Sequence, residues 1–327
     1  MSVLFVVDPL DTLVPDIDAS IGLMAAAQQR GLAVWCCHPE DLALVDGRVH
    51  ARATRITLGR RRRGLDHRWQ VEAPGHTPRE TRVLDVAAAV DLVLLRIDPP
   101  VDVRYLHTTY LLDLVEDEGV RVVNRPEGVR ALHEKVVALR FPWLCPATMV
   151  TTDATAVREF VARHGRAVVK PVDGYAGQDV WLVSDDAAAT ALAESATGSG
   201  RRHVIVQEYL ADVAAGNKRL FLLDGEIVGT VLRRPSASDF RIGPPVAAAD
   251  PDDADRAIVD ALAPLLAEHG IALAGIDVIA GRLIEVNVTC PGGMHKTDAL
   301  LGTDLSGAIL RRLLHHGNTL SKGKALA

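Results

Sequence analysis

Gly275-Ile276-Asp277-Val278-Ile279 and Leu283-Ile284-Glu285-Val286-Asn287 lie near the C-terminal end of the chain, joined by Ala280-Gly281-Arg282. Both halves read as apolar β-strands, and the glycine-containing turn folds them into a hairpin. Yet each strand carries a group that burial penalises unless it is compensated: Asp277 in the first, Glu285 and Asn287 in the second. Glu285 and Asn287 are two residues apart, so they project from the same face. Pairing of the hairpin brings Asp277 to join them. Such oxygen ligands suit Mg²⁺, a hard cation that completes its shell with phosphate and water. Polar strand ends at a solvated edge are the alternative, and the rest of the chain decides between the two.

At 327 residues the chain is long enough for two or three compact units around a large core. A hydrophobic content of 48% with 24% charged residues describes a globular protein, not a disordered one. The formal charge of −6 gives no basis for nucleic-acid binding. Only Arg60-Arg61-Arg62-Arg63 is strongly basic, and Gly59 and Gly64 beside it make it read as a solvated loop. Cys36, Cys37, Cys145 and Cys290 form no CxxC pair, so neither a disulfide framework nor a zinc site is indicated, and a reduced cytoplasmic compartment fits. The opening Met1-Ser2-Val3-Leu4-Phe5-Val6-Val7-Asp8 lacks a basic leader and reads as a first strand instead of a signal peptide. No segment reaches the apolar length of a membrane helix.

The first third alternates strand and helix. Residues 3–7, 33–37, 90–97 and 120–124 read as strands, and residues 19–30 and 105–118 as helices stopped by Gly31 and Gly119. This order implies a parallel, doubly wound sheet, in which ligands bind beyond the carboxyl ends of strands. Asp8, Arg96 and Asp98 sit at such ends and are candidates for substrate contact, with ordinary turn chemistry as the alternative. After Asn124-Arg125-Pro126 the pattern changes to a helix carrying Glu134-Lys135, a helix over 154–164, and the strand Ala167-Val168-Val169-Lys170-Pro171. A glycine-containing turn follows, Asp173-Gly174-Tyr175-Ala176-Gly177, then a strand over 204–210 and a hairpin over 218–232 turning at Asp224-Gly225. Residues 235–251 show no periodicity and read as a mobile loop. A helix over 253–269 leads into the opening hairpin, and a last helix over about 304–315 ends in a tail that frays from Gly317.

Lys170 ends an apolar strand directly before the glycine turn. An ammonium backed by backbone N–H groups that glycine leaves accessible is a phosphate cradle. It is not the GxxxxGK[ST] loop, because the lysine precedes the glycines and the turn leads to a strand. Arg234 and Arg241, beside the 235–251 segment, are candidates to stabilise a transferred phosphoryl group, with solvated loop arginines as the alternative.

The ordered set of Glu134-Lys135, Lys170-Pro171-x-Asp173-Gly174, Asn217-Lys218-Arg219, Gly275-x-Asp277 and Glu285-x-Asn287-Val288-Thr289 resembles the ATP-grasp carboxylate–amine ligases, most closely the bacterial glutathione synthetase family. Arg96-x-Asp98-Pro99-Pro100, Asp18-Ala19-Ser20 and Val123-Asn124-Arg125-Pro126 extend the likeness over nearly the whole chain. The resemblance implies an α/β architecture: two α+β subdomains clasping ATP, at residues 126–205 and 206–327, behind an N-terminal doubly wound domain at 1–125. It places Lys135, Lys170 and Lys218 on the nucleotide. The turn of Asp173, Gly174, Tyr175, Ala176 and Gly177 closes over the phosphates, and Gln207, Glu208, Tyr209 and Leu210 hold the adenine. Asp277, Glu285 and Asn287 become ligands of two Mg²⁺ ions, with Mn²⁺ as a substitute. The acid substrate falls to Asp8, Ser20, Arg96, Asp98, Asn287, Gly292, Gly293 and Lys296. A homo-oligomer, dimer or tetramer, acting on a small-molecule acid and amine completes the implied picture, with no nucleic-acid or membrane partner.

The chain departs from the family at the substrate end. The family's Gly-Gly-Glu-Thr-Arg-Gly-Asn lid is here Ala237-Ser238-Asp239-Phe240-Arg241-Ile242-Gly243. Its Ser-Pro-Thr-x-Ile-Arg-Glu continuation is here Cys290-Pro291-Gly292-Gly293-Met294-His295-Lys296. The arginine that would help hold an acidic peptide is missing; Gly292-Gly293 still offers backbone N–H donors and Lys296 is a candidate substitute, although lysine and arginine are not interchangeable at a bidentate carboxylate site. The sequence therefore leaves three readings open: ligation of γ-glutamylcysteine to glycine, a related ligation of another acid and amine, and nucleotide binding without catalysis.

Overall fold

A computed structural model describes residues 1–174, 177–184, 186–236 and 239–321. The N-terminal unit comprises β1 (Ser2–Val7), α1 (Ala19–Gln29), β2 (Ala33–Cys37), β3 (Leu42–Val45), β4 (Arg48–Leu58), β5 (Arg61–Arg63), β6 (Trp69–Val71), β7 (His76–Asp85), α2 (Val86–Ala89), β8 (Leu92–Arg96), α3 (Val103–Asp117), β9 (Arg121–Val123) and α4 (Pro126–Ala131). Asp18 caps α1 by accepting from Ser20 N and Ile21 N, and Asp102 caps α3 through Tyr105 N at 2.8 Å. Strands β2, β1, β8 and β9 run parallel, which is the expected doubly wound core.

The sequence reading assigns no element between residues 37 and 90, and the structure corrects this over residues 42–85. They form an antiparallel arm in which β4 pairs with β2, β3 and β7. Val49, Ala51, Ala53, Ile56 and Leu58 point inward along β4, while Arg48, Arg52 and Arg55 take outward positions. The arginines mask an ordinary half-buried alternation. The Arg60–Arg63 run is likewise not a solvated loop: Arg61–Arg63 pair with Trp69–Val71 in a small ribbon.

The remainder holds β10 (Thr148–Thr151), α5 (Ala154–His164), β11 (Ala167–Pro171), β12 (Trp181–Val183), α6 (Asp186–Ala196), β13 (Val204–Glu208), β14 (Asn217–Leu223), β15 (Glu226–Ser236), β16 (Asp239–Ala248), α7 (Asp253–Glu268), β17 (Leu273–Ile279), β18 (Arg282–Asn287), α8 (Met294–Leu301) and α9 (Leu305–Ser321). Among the described residues a central sheet has the order β10-β13-β11-β12, and a C-terminal sheet the order β16-β15-β14-β17-β18. β13 therefore straddles the subdomain boundary expected at residue 205. The two hairpins turn on consecutive left-handed residues, Asp224-Gly225 (φ 51° and 78°) and Ala280-Gly281 (φ 48° and 71°), the geometry that matches strand twist.

Three further expectations need correction. Glu134 and Lys135 lie in a turn between α4 and a short 3-10 turn, not in a helix. Residues 235–251 are not a structureless loop, because most of them belong to β15 and β16. Pro244 and Pro245 sit on an edge strand, where a missing N–H is tolerated. Finally, α9 continues through Gly317 to Ser321, since one glycine lowers helix propensity without ending the helix. Helices α6 and α8 are additional to the sequence reading, although the alanine-rich run of α6 carries a clear helix propensity.

The hydrophobic core is divided in a way that matters for the site. One cluster joins Leu4, Val93 and Leu112 of the N-terminal unit to Leu220, Ile258 and Ile276 of the C-terminal one. A second joins Phe5 and Met24 to Phe221, Ile309 and Leu310, so α9 returns to pack on α1. The central sheet keeps its own smaller cluster around Val157, Val169 and Val206. The N- and C-terminal units thus share continuous cores, and the central subdomain stands apart.

Asn124 stitches the shared part. Its amide nitrogen donates to Leu273 O (2.7 Å) and Val288 O (2.6 Å), and its oxygen accepts from Leu273 N (2.8 Å), all in a buried setting. Asn124→Leu leaves these backbone groups without partners, and we expect a loss of about 3 kcal/mol of stability. Equilibrium urea unfolding measures it, and an unchanged midpoint would show that the stitch carries no weight.

Candidate active site

Strand register assembles the site. β14 pairs Arg219 with Asp277 of β17, β15 pairs Arg233 with Asn217, and β18 pairs Glu285 with Asp277 and Asn287 with Gly275. Directly paired residues share a face, as do residues two apart. Asn217, Arg219, Arg233, Asp277, Glu285 and Asn287 therefore rise from one face of the C-terminal sheet. That face floors a cleft of about 810 Å³, which the central sheet and glycine turn wall from the other side. The size suits a nucleotide with small substrates.

The lining divides by chemistry. Val168, Leu210, Val213, Ile279 and Ile284 offer apolar surface from both walls, beside Gln207, Glu208 and Tyr209. Lys135, Lys170, Gly174, Gly177, Arg219, Arg233 and Arg241 supply cations and accessible backbone. Asp98, Pro99, Thr289, Cys290 and Gly292 close the side formed with the N-terminal unit.

Asp277 is almost fully buried, and both of its oxygens are engaged. Oδ1 accepts from Arg219 Nε (2.6 Å) and Arg233 Nη2 (2.6 Å), and Oδ2 accepts from Arg219 Nη2 (2.8 Å). Burial pushes this carboxyl up, but the two guanidiniums outweigh burial and hold it well below the usual carboxylate range. Burial lowers Arg219 too, and the facing Asp277 more than restores it; Arg233, less well compensated, stays below the usual value. Lys170 is buried, which lowers its pKa against the opposing pull of Glu285, and its Nζ donates to Gln207 Oε1 at 3.2 Å. Gln207 Nε2 in turn donates to Thr148 Oγ1 at 3.0 Å. Lys135 Nζ donates to Gly174 O, tying the turn after α4 to the glycine turn.

The donor set fits a hard divalent cation. The Glu285 side chain makes no hydrogen bond or ion pair among the described residues, although it lines the cleft. Asn287 Nδ2 donates to Gly275 O (3.1 Å), which leaves its amide oxygen as an acceptor. Asp277 keeps one lone pair, on Oδ2. Among the described residues no three Asp, Glu, His or Cys side chains form a ready-made cation cage. Two carboxylates and an amide make an incomplete shell, suited to Mg²⁺ completed by phosphate and water.

The other sequence-predicted residues divide in two. Gln207, Glu208, Tyr209, Leu210, Gly174, Gly177, Asp98, Gly292 and Arg241 reach the cleft. Arg241 is held by Asp239 (Nε to Oδ2, 2.9 Å) and donates weakly to Gly177 O at 3.4 Å, linking β16 to the glycine turn. Tyr175 and Ala176 lie outside the described residues. Asp173 is exposed and faces His133 Nε2 at 3.2 Å, away from the lining. Asp8, Ser20 and Arg96 support the cleft from behind: Asp8 Oδ2 accepts from Asp98 N (2.8 Å), and Arg96 donates to Ser20 Oγ (3.3 Å) and Pro291 O (3.1 Å). Gly293 caps α8 and Lys296 sits on that helix; neither lines the cleft.

Two expectations fail for one reason. Lys218 turns to the opposite face and pairs with Asp252 (2.5 Å) and Asp255, the capping carboxylates of α7. Arg234 donates to Ala215 O at 3.2 Å, off the cleft. In each case the neighbour, Arg219 or Arg233, is the residue that faces the site. Strict alternation along β14 and β15, in register with Asp277, was the signal that separates them. Glu134 has a structural role that its local sequence does not signal. Its buried carboxylate accepts from Val288 N (2.9 Å), Thr289 N (2.9 Å) and Thr289 Oγ1 (2.6 Å), fixing the chain as it leaves β18.

This alternation sets a direct comparison. Arg233→Met is expected to lower turnover by about 100-fold, as for loss of a charge that stabilises transferred phosphoryl, while Arg234→Met stays within about threefold of wild type. Steady-state kinetics on both variants decides, and the reverse order would contradict the facing assigned to β15.

Comparison with known proteins agrees with this geometry. Residues 1–130 match the family model for the prokaryotic glutathione synthetase N-terminal domain, and residues 134–302 match that for its ATP-grasp domain. A glutathione synthetase of Thermosynechococcus vestitus is 40% identical over 317 residues, 95% of this chain and 98% of that protein. Those of Synechococcus elongatus (38%; 97% and 100% covered) and Nitrosomonas europaea (33%; 96% and 97% covered) are similar over the same extent. Among solved structures, the D-cycloserine synthetase DcsG superposes with a TM-score of 0.63 at 20% identity, covering 95% of this chain and all of that one. The ATP-grasp ligase PsnB, complexed with a minimal precursor, gives 0.64 at 18%, covering 97% and 99%. At those identities the structural neighbours show the fold alone. ATP and Mg²⁺ are the family's general requirements. The chain belongs to the prokaryotic glutathione synthetase family, and it is an ATP-dependent carboxylate–amine ligase.

Proposed function

We propose that the cleft joins the free carboxylate of γ-glutamylcysteine to the amine of glycine at the expense of ATP, through an acyl phosphate. The observation that carries this reading is the single-face assembly of Arg219, Arg233, Asp277, Glu285 and Asn287 beneath the glycine turn. A carboxylate is a poor electrophile until a phosphoryl group is placed on it. The γ-phosphoryl passes to the acid oxygen and ADP departs; the amine then attacks the acyl carbon and expels inorganic phosphate. Such transfers need positioning and charge neutralisation more than an acid–base pair. Lys135 and Lys170 hold the nucleotide phosphates, Arg219 and Arg233 face the transferred group, and the apolar walls take the base. Glu285, Asn287 and Asp277 Oδ2 are the residues that would hold Mg²⁺, which supplies further charge neutralisation at the phosphates. Two ions, with Mn²⁺ able to replace them, agree with a Glu285 carboxylate that has both oxygens uncommitted among the described residues. Phe240 and Arg241 of β16 lie over the cleft, where they exclude water from a hydrolysable intermediate. Phe240 meets Tyr209 edge-on at 6.4 Å.

A related ligation of another acid is the second reading, favoured by residues 290–297. Lys296 does not reach the cleft and so does not replace the missing arginine. We also place the protein in the cytoplasm as a homo-oligomer, dimer or tetramer. Its unpaired cysteines support the compartment, and exposed Leu44, Val45 and Val83 on the antiparallel arm support association. Among the described residues no helix is long and apolar enough to cross a membrane.

ADP release is the test. Steady ADP turnover is expected only when γ-glutamylcysteine and an acceptor amine, glycine or a nucleophile in its place, are both present with ATP and Mg²⁺, and mass spectrometry of the product formed with glycine identifies the amide. Release with a different acid supports the second reading; none with any acid and amine favours nucleotide binding without catalysis. Glu285→Gln is expected to cut turnover by about 100-fold or more while leaving the circular dichroism spectrum unchanged. Wild-type rates at ordinary Mg²⁺ would refute the metal assignment.

A further inference from the structure

The basic run at 60–63, which the cleft does not absorb, meets in space the divergent segment at 290–297, whose first residues line the cleft. β5 and β6 form a ribbon with Arg63 opposite Trp69, and that ribbon lies on α8. The Trp69 ring stacks on His295 at 5.3 Å with 16° between planes, and its Nε1 donates to His295 O at 2.8 Å. At the other end of the helix Arg63 Nη2 donates to Leu300 O (2.7 Å), and Arg63 Nε donates to Ala299 O. A guanidinium on terminal helix carbonyls is favourable both as hydrogen bonding and against the helix dipole. The Arg61 guanidinium lies 5.3 Å from the Trp69 ring centre, a cation–π distance. Burial and the nearby Arg61 push His295 down to about 4, so it stacks as the neutral ring, with Nε2 3.3 Å from Pro15 O.

The first turn of α8 continues directly from the cleft wall. Cys290 and Gly292 line the cleft beside Asp98. The backbone there is held on its inner side, with Arg96 donating to Pro291 O (3.1 Å) and Arg219 Nη1 donating to Gly292 O (3.1 Å). Gly293, at φ 101°, then turns the chain into the helix. The wall is thus fixed from inside by site arginines and from outside only as well as α8 is fixed. The nucleotide side draws its lining from β11, β13 and β18 instead.

We propose that the β5–β6 ribbon is a positioning element for the acid-substrate wall at residues 290–293, with Trp69 and Arg63 acting through α8, which also packs on α1, α9 and β16. This rests on the ligase reading above, because it assigns that wall to the acid. An error of even an ångström in such a wall costs substrate capture while leaving the nucleotide end intact. Trp69 and Arg63 are positioning residues: neither lines the cleft.

Kinetics on the full-length enzyme with γ-glutamylcysteine, glycine and ATP provide the test. Trp69→Ala and Arg63→Gln are expected to raise KM for the acid by about tenfold while KM for ATP stays within about twofold. Trp69→Phe, which keeps a stacking ring but loses the N–H, is expected to recover most of the loss. A general loss of stability would lower the active fraction and so the apparent kcat without a selective rise in the acid KM; that result, or equal rises in both KM values, overturns the proposal. Hydrogen exchange on the free protein supplies a readout independent of substrate. Amides at 290–296 are expected to exchange about tenfold faster in Trp69→Ala, with 167–171 and 204–208 unchanged. Unchanged exchange at 290–296 overturns the proposal even if the enzyme takes a different acid. Absence of acid-dependent ADP release in the wild type, with the exchange change present, counts against the ligase reading and not against the mechanical link.

Discussion

Asp277, a carboxylate almost closed off from water, lies between two guanidiniums on the floor of the cleft, and the layout of the site follows from holding it there. A lone buried carboxylate is expensive, and breaking such a pair by removing one partner typically costs several kcal/mol. The strands must therefore present Arg219 and Arg233 to the same point. The register of β14 with β17, and of β15 with β14, does so. The same register leaves Glu285, one strand further, without a partner among the described residues, and sets Asn287 beside it. Charge is balanced at one position and left available at the next. That contrast is what a site for polyphosphate and a divalent cation requires.

The division of the hydrophobic core gives this floor a firm base and a separable roof. The C-terminal sheet shares continuous apolar packing with the N-terminal unit, through Leu220 and Ile276 on one side and Phe221 and α9 on the other. The central sheet, which carries Lys170 and the glycine turn, packs on its own cluster. It meets the rest across the cleft through polar ties such as Lys135 to Gly174 and Arg241 to Gly177. Polar ties of this kind exchange readily for contacts to a ligand, whereas apolar clusters do not.

Much of this was legible in the sequence, because the chemistry rests on residues that have no other reason to be where they are. Asp277, Glu285 and Asn287 stand out in apolar strands, and Lys170 stands out before a glycine turn. The helix over 154–164 follows from its periodicity, and the strand over 33–37 from a short uninterrupted apolar run. Adjacent cations were harder. Lys218 and Arg219, or Arg233 and Arg234, are equivalent by composition and differ only by strand phase, which a partner strand fixes. The antiparallel arm at 42–85 was hidden because arginines fill its outward positions, and β16 because prolines interrupt its alternation at a sheet edge. Glu134 went unrecognised as a clamp because its partners lie more than 150 residues away, at Val288 and Thr289.

The central claim is that one sheet face gathers the charges that carry a phosphoryl group onto a carboxylate. Hydroxylamine trapping tests it most directly: ATP, Mg²⁺ and γ-glutamylcysteine are incubated with the protein and hydroxylamine, without glycine. Formation of the acid hydroxamate in equal amount with ADP is the expected result. AMP with pyrophosphate, or ADP formed without any hydroxamate, would contradict it.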